Sequence, residues 1–207
     1  MPIAKEGIPF IAVPIILAVV LAIFSIWPAV AAFLVLTAFM LYFFRDPERT
    51  IPSDSDIIVS PADGRVTRVQ LLDSSAPDSG TVVSIFLSPL DVHINRAPIA
   101  GTVTDVAYTH GKFLIATSKK ASLLNEQNAL TIKGEKIEVV CKQIAGIVAR
   151  RIVCWKKPGD SVGLGERFGL IKFSSRTDLI MPACVEVLVQ EGTRVKGGLS
   201  IVGRIRR

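Results

Sequence analysis

Three short segments of this chain carry side chains suited to nucleophilic or acid–base chemistry. Near the C-terminus, Ser174 and Ser175 follow an apolar run, and far upstream stand an aspartate, Asp63, and a histidine, His93. A serine hydroxyl is a weak nucleophile by itself and needs a nearby base. The surrounding sequences are Arg167-Phe-Gly-Leu-Ile-Lys-Phe-Ser-Ser-Arg-Thr-Asp178, Ser60-Pro-Ala-Asp-Gly64 and Pro89-Leu-Asp-Val-His93.

Each of these residues also has a structural explanation of its own. Pro-Ala-Asp-Gly around Asp63 favours a turn. His93 follows an apolar strand and could be a buried core histidine with its hydrogen bonds satisfied. Ser175 taken alone would be an ordinary loop serine. Together and in this order, however, the segments resemble the phosphatidylserine decarboxylase family in its short-chain form, over roughly residues 45–207. In that family the chain cuts itself before a serine, which becomes a pyruvoyl group.

The resemblance implies a maturation reaction at Ser175. Its Oγ attacks the carbonyl carbon of residue 174 and converts the amide into an ester. β-Elimination leaves dehydroalanine at 175, which hydrolyses to a pyruvoyl group and ammonia. The expected products are a membrane-bound chain, 1–174, and a short chain, 175–207, which remain associated as the two chains of one precursor.

The resemblance also assigns the other catalytic roles. A base must activate the Ser175 hydroxyl, and His93 is the candidate, with Asp63 orienting it as in a Ser-His-Asp arrangement. After maturation His93 would serve again by protonating the substrate carbanion. The expected catalytic residues are therefore Ser175, His93 and Asp63, and the expected cleavage site is Ser174–Ser175.

The implied activity is that of a carboxy-lyase that converts phosphatidylserine into phosphatidylethanolamine and CO2. Decarboxylation of an amino-acid headgroup leaves a carbanion that no ordinary side chain delocalises, so an electron sink is needed. PLP or a pyruvoyl group can serve, each through a Schiff base with the substrate amine. Because a small β-rich domain is a poor fit to the usual PLP enzymes, we expect the pyruvoyl group from Ser175 as cofactor, without PLP.

One position departs from the family pattern. The family reads Phe-Gly-Ser-Arg at the cut, whereas this chain reads Phe173-Ser-Ser-Arg176. Arg176 sets the register, so Ser175 rather than Ser174 is the pyruvoyl precursor. Glycine tolerates strained backbone conformations that serine resists. If the acyl shift needs a positive φ at residue 174, self-cleavage in this chain is slowed or blocked.

The N-terminal segment is apolar throughout. From Gly7 to Phe44 there is no charged residue, and this run is longer than the about 20 residues that cross a bilayer. Pro28 lacks an N–H and disfavours helical geometry at the preceding residue. We predict two apolar helices, at about 9–25 and 28–44, that are broken at Pro28 and form a membrane hairpin within residues 1–45.

Other interpretations of this segment fit less well. A cleavable signal peptide has a shorter apolar core, and a helix pair buried in a soluble protein normally shows a polar stripe. A shallow re-entrant hairpin remains an alternative to a full crossing. Lys5 before the helices and Arg45 and Arg49 after them favour both ends being cytoplasmic. We therefore expect a cell-membrane protein whose catalytic domain, 46–207, lies on the cytoplasmic side.

The charge points to lipid as the partner. The formal net charge of +6 lies entirely in residues 45–207, since Lys5 and Glu6 cancel. A basic domain next to a membrane is attracted to anionic headgroups, and no nucleic-acid-binding motif is present. The expected partner is a membrane phospholipid, and a homo-oligomer is left open. In the later helical segment, Lys119, Lys120, Asn125 and Glu126 would face either the headgroup or solvent.

The cysteines and histidines do not suggest a metal site. Cys141, Cys154 and Cys184 form no CxxC pair, and His93 and His110 are the only histidines. Without a close Cys/His cluster, zinc binding is not expected. The cysteines are predicted to be buried free thiols of a reducing compartment.

The domain 46–207 is predicted to be mainly β. Short runs rich in β-branched residues are bounded by Gly, Pro, Asp and Ser, and Lys133-Gly-Glu indicates a tight turn. A G-x-V-T-x-V pattern recurs at Gly64 and Gly101, and Val185–Gly198 resembles a half-motif of lipoyl domains, so a barrel-sandwich (lipoyl-like) fold is expected. One helix is predicted at Ser118–Asn125. The strands are predicted at 57–60, 64–70, 81–87, 101–108, 129–133, 136–141 and 168–173.

Three other functions remain as alternatives. An archaetidylserine decarboxylase would have the same headgroup chemistry. A non-enzymatic membrane-anchored adaptor with a lipoyl-like domain would normally add long coiled-coil helices, and no heptad run exists here. A family member inactivated by Ser174 would act only as a lipid-binding module.

Overall fold

The chain divides into two compact units. The computed structural model describes residues 2–73, 75, 79–115, 121–146, 151–173 and 175–206. The units are Met1–Glu48 and Arg49–Arg207, so the boundary lies a few residues after the expected one at 45/46. The reason is that the Arg49 side chain bonds to Asp63 and Gly197 and therefore belongs to the second unit.

The first unit is a pair of apolar helices. A short 3-10 turn leads into α1 (Ile8–Ile23), and α2 (Trp27–Phe43) follows. Within the described residues, only the stretch Lys5–Ile23 is long and apolar enough to cross a membrane by length and composition, with a mean hydropathy of 2.4. The chain reverses around Ser25, whose φ is 56°. Pro28 therefore lies in the first turn of α2, where its missing N–H removes no helical hydrogen bond, rather than at the break.

The two ends of this unit lie side by side. The Ala4 N–H donates to the Phe44 carbonyl at 2.9 Å, and the Asp46 N–H donates to the Pro2 carbonyl at 2.8 Å. The segment before α1 and the segment after α2 are thus hydrogen-bonded to each other.

The second unit is built almost entirely of strands, and the prediction of a mainly β domain is confirmed. One short helix, α3 (Ala121–Leu124), lies within the predicted 118–125, while residues 116–120 lie outside the described part. The strands are β1 (Ile57–Val59), β2 (Gly64–Leu71), β3 (Thr81–Leu87), β4 (Ile94–Arg96), β5 (Gly101–Thr109), β6 (Gln127–Lys133), β7 (Glu138–Ala145), β8 (Ile152–Cys154), β9 (Ser161–Val162), β10 (Arg167–Ile171), β11 (Ser175–Met181), β12 (Val185–Val187), β13 (Arg194–Val195) and β14 (Ile201–Ile205).

These strands form three antiparallel sheets. The largest has eight strands in the order β13-β2-β3-β11-β7-β6-β5-β9, and the smaller sheets have the orders β1-β14-β12 and β4-β10-β8. The predicted turn between β6 and β7 is present, since the Gly134 N–H donates to the Ile137 carbonyl at 2.9 Å. All seven predicted strands correspond to observed ones; the ends of β3 are as predicted, and at least one end of each of the other six is shifted.

The core determines which way the side chains of β11 point. Leu179 and Met181 lie in the main apolar cluster. Because side chains alternate along a strand, Ser175 and Thr177 project to the same face. Arg176 and Asp178 project to the opposite face of the sheet.

The three cysteines are free thiols in different environments. Cys141 is buried, Cys154 is half-buried and Cys184 is exposed, so the expectation of burial is wrong for Cys184. Burial raises the pKa of the Cys141 and Cys154 thiols above the usual range.

Candidate active site

Ser175 is the first residue of the central strand of the large sheet. It pairs with Leu87 of β3 on one side and with Ala145 of β7 on the other. Its side chain is fully buried, and its Oγ has no hydrogen-bond partner among the described residues. A buried hydroxyl without a partner lowers the stability of the fold. The backbone that carries it is paired on both sides, with β3 and β7.

The backbone immediately before the predicted cut is strained. Phe173 adopts φ 60°, a region that residues other than glycine rarely occupy, at a cost of about 1–3 kcal/mol. Ser174, the predicted cleavage residue beside it, lies outside the described residues.

His93 is held by the turn that follows β3. The Ser88 N–H donates to Asp91 Oδ2 at 2.8 Å, and the Asp91 N–H donates to the Ser88 carbonyl at 2.9 Å. His93 is 3% exposed, and its Nδ1 lies 2.9 Å from the Asp91 carbonyl oxygen. Because a carbonyl only accepts, Nδ1 is the donor in this contact, and in the neutral form of the ring Nε2 would then carry the lone pair. This is the tautomer that a general base requires.

The strand that leads to the predicted cut runs beside His93. The Ile171 N–H, at the end of β10, donates to the His93 carbonyl at 3.3 Å. Ser175 follows Ile171 by four residues in the sequence, so a contact between the histidine and the serine is consistent with this pairing.

Asp63 occupies a different position in the site. Its two carboxylate oxygens accept from Arg49 Nη1 and Nη2 at 2.6 and 2.8 Å, and Oδ1 also accepts from the Gly197 N–H at 2.8 Å. Within the described residues, all of its hydrogen bonds go to these two partners. The direct bond expected between Asp63 and His93 is therefore not formed here. Instead, the Asp91 carbonyl fixes the tautomer of His93.

A chain of buried amides connects the strand that follows His93 with the strand that begins at Ser175. Asn95 Nδ2 donates to Thr177 Oγ1 at 3.0 Å. Gln143 Nε2 donates to Asn95 Oδ1 at 2.9 Å, and Asn128 Nδ2 donates to Gln143 Oε1 at 3.0 Å. All four side chains are at most 1% exposed. Buried polar networks that are satisfied in this way fix a unique arrangement.

Comparisons with known proteins identify the family to which the whole chain is similar. The sequence model described as phosphatidylserine decarboxylase matches residues 36–203. A phosphatidylserine decarboxylase proenzyme of Chlorobium chlorochromatii is 50% identical over 169 residues, 80% of this chain and 79% of the relative. Proenzymes of Solibacter usitatus and Desulfotalea psychrophila are 47% and 42% identical, each over 99% of this chain and 97% of the relative.

This chain belongs to the phosphatidylserine decarboxylase family. The resemblance inferred from the three motifs is thereby confirmed. Two of the relatives match along nearly the whole length, so the likeness includes the apolar N-terminal segment as well as the β unit. This favours a decarboxylase over an adaptor built from similar parts.

Sequence reasoning missed a charged cluster on the opposite face of β11. Arg176 Nε lies 2.9 Å from Asp178 Oδ1, and Arg68 Nη2 donates to Asp178 Oδ2 at 3.5 Å. Arg176 also donates to the Ser122 hydroxyl of α3, and Arg68 Nε donates to Ser84 Oγ at 3.2 Å. The Arg-x-Asp spacing, which places both side chains on one face of a strand, was the available signal. The cluster ties β11 to β2 and α3.

Sequence reasoning also missed the amide chain, because its members come from four separate strands.

Thr177→Val removes the hydroxyl that accepts from Asn95 Nδ2. This buried donor then keeps only its 3.4 Å contact with the Pro61 carbonyl. We expect a loss of about 1–3 kcal/mol in the free energy of unfolding and slower self-cleavage, measured by urea denaturation and by fragment appearance on gels. Thr177→Ser keeps the hydroxyl and serves as the control. Equal cleavage rates for the two variants would contradict a role for this chain in positioning.

Proposed function

We propose that this protein is a phosphatidylserine decarboxylase that cuts itself between Ser174 and Ser175 and uses the resulting pyruvoyl group to convert phosphatidylserine into phosphatidylethanolamine and CO2. Membership of the family supports the activity. The observation that carries the mechanism is the buried Ser175 Oγ, which has no hydrogen-bond partner among the described residues at the start of the central strand.

The surroundings of Ser175 fit a pyruvoyl group. A pyruvoyl group cannot donate a hydrogen bond. Among the described residues, no acceptor is bonded to the Ser175 hydroxyl, so converting Ser175 into a pyruvoyl group would leave no acceptor unpaired. When present, the pyruvoyl group condenses with an amine and acts as an electron sink. The main-chain pairing of β11 with β3 and β7 would keep residue 175 in place after the cut.

The chain's own residues then take the following roles. His93 Nε2 accepts the Ser175 hydroxyl proton while Oγ attacks the carbonyl carbon of residue 174. The bond from that carbon to the residue 175 nitrogen then breaks, and the nitrogen takes the proton from His93, so that the amide becomes an ester with a free amine. The strained φ of Phe173 raises the free energy of the uncut chain, which favours the conformational change at the cut. His93 also returns a proton to the product. Low solvent access around Ser175 and His93 restricts competing hydrolysis.

Asp63 is proposed as a positioning residue. The Pro61 carbonyl accepts from the Arg96 N–H at 2.9 Å and from Asn95 Nδ2 at 3.4 Å. The segment that carries Asp63 therefore lies against the strand that follows His93. Through this contact Asp63, anchored by Arg49, would keep His93 in register.

The location follows from the first unit. We propose that α1 and α2 form a membrane hairpin covering residues 1–45, with both ends in the cytoplasm, and that the catalytic domain, 46–207, lies at the cytoplasmic surface of the cell membrane. The hydrogen-bonded ends of the helix pair support placing both ends on one side.

The α and β chains of the cut precursor would stay associated, because β11 lies between strands of the other chain. A barrel-sandwich of the lipoyl type is the proposed description of the β unit.

Replacing the predicted nucleophile separates an enzyme from a lipid-binding module. Ser175→Ala should stop both self-cleavage and CO2 release, because it removes the attacking oxygen. Ser174→Gly should speed cleavage by about fivefold to thirtyfold, since relief of about 1–2 kcal/mol of strain corresponds to that factor. Gel analysis and release of labelled CO2 from phosphatidylserine measure the two steps. Cleavage of Ser175→Ala at the native rate would rule out this assignment.

A matched pair of variants tests the role of Asp63. Asp63→Asn and Arg49→Gln break the same largely buried ion pair, so each should cost about 3–5 kcal/mol. Because Asp63 also accepts from the Gly197 N–H, we expect Asp63→Asn to slow self-cleavage more than Arg49→Gln does, at a temperature where both variants remain folded. If the two variants lose cleavage equally, Asp63 serves only as the partner of Arg49.

A further inference from the structure

Several loops meet at the end of the large sheet where Ser175 lies. Because β11 is antiparallel to β3 and β7, the segment after Leu87 and the segment after Ala145 both emerge beside Ser175. The Ala145 N–H donates to the Glu126 carbonyl at 3.0 Å, so the loop between β5 and β6 ends there too. The opposite end of the same sheet carries the turn between β2 and β3, around Leu72.

The most exposed large apolar side chains of the second unit lie on these loops. Among the described residues, Leu123 is 81% exposed, Leu90 is 62% exposed and Ile115 is 59% exposed. Leu90 follows β3, while Ile115 and Leu123 belong to the loop before β6, so they flank Ser175 from both sides. We call these three residues the apolar rim. Exposed apolar side chains grouped around one site mark an interaction surface.

The loops that carry the rim are held by the fold. Asn125 is 1% exposed, and its Nδ2 donates to the carbonyls of Leu114 and Ala145 at 2.8 and 2.7 Å. Its Oδ1 accepts from the Leu114 N–H at 2.9 Å. Asn125 therefore holds Ile115 and Leu123 in place and does not face a headgroup, as its sequence position had suggested. Leu90 lies in the hydrogen-bonded turn between Ser88 and Asp91.

Basic residues lie near the rim. Lys112 and Arg151 are exposed, and the Arg151 carbonyl accepts from the Lys172 N–H at 3.2 Å, just before the predicted cut. Asp91 is paired with Arg194 at 3.4 Å, while Glu126 accepts from the Tyr108 hydroxyl and keeps its charge, so Lys112, Arg151 and Arg194 outnumber the two carboxylates. The local charge is therefore favourable for an anionic lipid surface.

We propose that the apolar rim inserts into the bilayer that contains the substrate, as a membrane contact of the catalytic unit separate from the N-terminal helices. This inference rests on the proposed function, because a diacyl phospholipid keeps its chains in the bilayer while its headgroup must reach the buried Ser175. Leucine and isoleucine side chains that enter the acyl region, with lysine and arginine at the headgroups, make such a contact. The occupant is a phospholipid bilayer containing anionic lipid.

Fluorescence quenching by brominated lipids tests insertion without requiring activity. In the full chain with Trp27→Phe and Trp155→Phe, a single tryptophan is introduced as Leu123→Trp, Leu90→Trp or, as control, Leu72→Trp. Leu72 is 52% exposed at the opposite end of the sheet. In vesicles of brominated phosphatidylcholine and phosphatidylglycerol, we expect strong quenching at 123 and 90 and little at 72. Equal quenching at all three positions would overturn the proposal, as would a blue-shifted, unquenched signal from a protein partner or second copy.

Turnover provides the second test. Leu123→Asp should lower kcat/KM on phosphatidylserine vesicles by about tenfold, since burial of one leucine favours the bound state by roughly that factor or more. It should leave self-cleavage and turnover of a monomeric short-chain phosphatidylserine unchanged, and Leu72→Asp should change none of these. Equal losses on both substrates would contradict insertion. If the native chain releases no CO2, the proposed function fails, while the quenching result still decides whether the rim inserts.

Discussion

Hydrogen bonds from β3 and β7 hold β11 on both sides, and the rest of the site depends on the position this gives to Ser175. The serine stands at the first pair of that ladder, where Leu87 and Ala145 flank it. A residue at the edge of a sheet or in a free loop would lose its position once the preceding bond is cut. Here the main chain that follows residue 175 is anchored over seven residues, so cleavage would leave the new terminus in the site.

The polar groups around β11 are buried and therefore need hydrogen-bond or ion-pair partners. The Asp91 carbonyl selects the tautomer of His93, and the amide chain that ends at Thr177 joins the histidine-bearing sheet to the serine-bearing sheet. On the opposite face of β11, the ion pair of Arg176 and Asp178 likewise connects this strand to its neighbours. Next to the bond that is proposed to break lie the unbonded Ser175 Oγ and the strained φ of Phe173.

Much of this architecture could be predicted from the sequence, but the contacts within the site could not. Strands such as β3 carry long β-branched runs, and their positions were predicted correctly. Seven strands were not predicted: β4, β8, β9, β11, β12, β13 and β14. Most of them are very short and lack an alternating pattern, but the central strand β11 was missed although it has seven residues. Asp63, His93 and Ser175 were identified through family motifs. The partner of Asp63 was not, because Arg49 lies before the motif and Gly197 lies more than a hundred residues after it, and only the tertiary fold brings them together.

The central claim is that Ser175 is the residue at which this chain cuts and modifies itself. Intact-mass spectrometry of the purified full-length protein tests this most directly. The account predicts two species with the masses of 1–174 and 175–207, the smaller one carrying a keto group in place of its N-terminal amine. A single full-length mass that persists on long incubation would contradict it, and so would a fragment that begins with an unmodified serine.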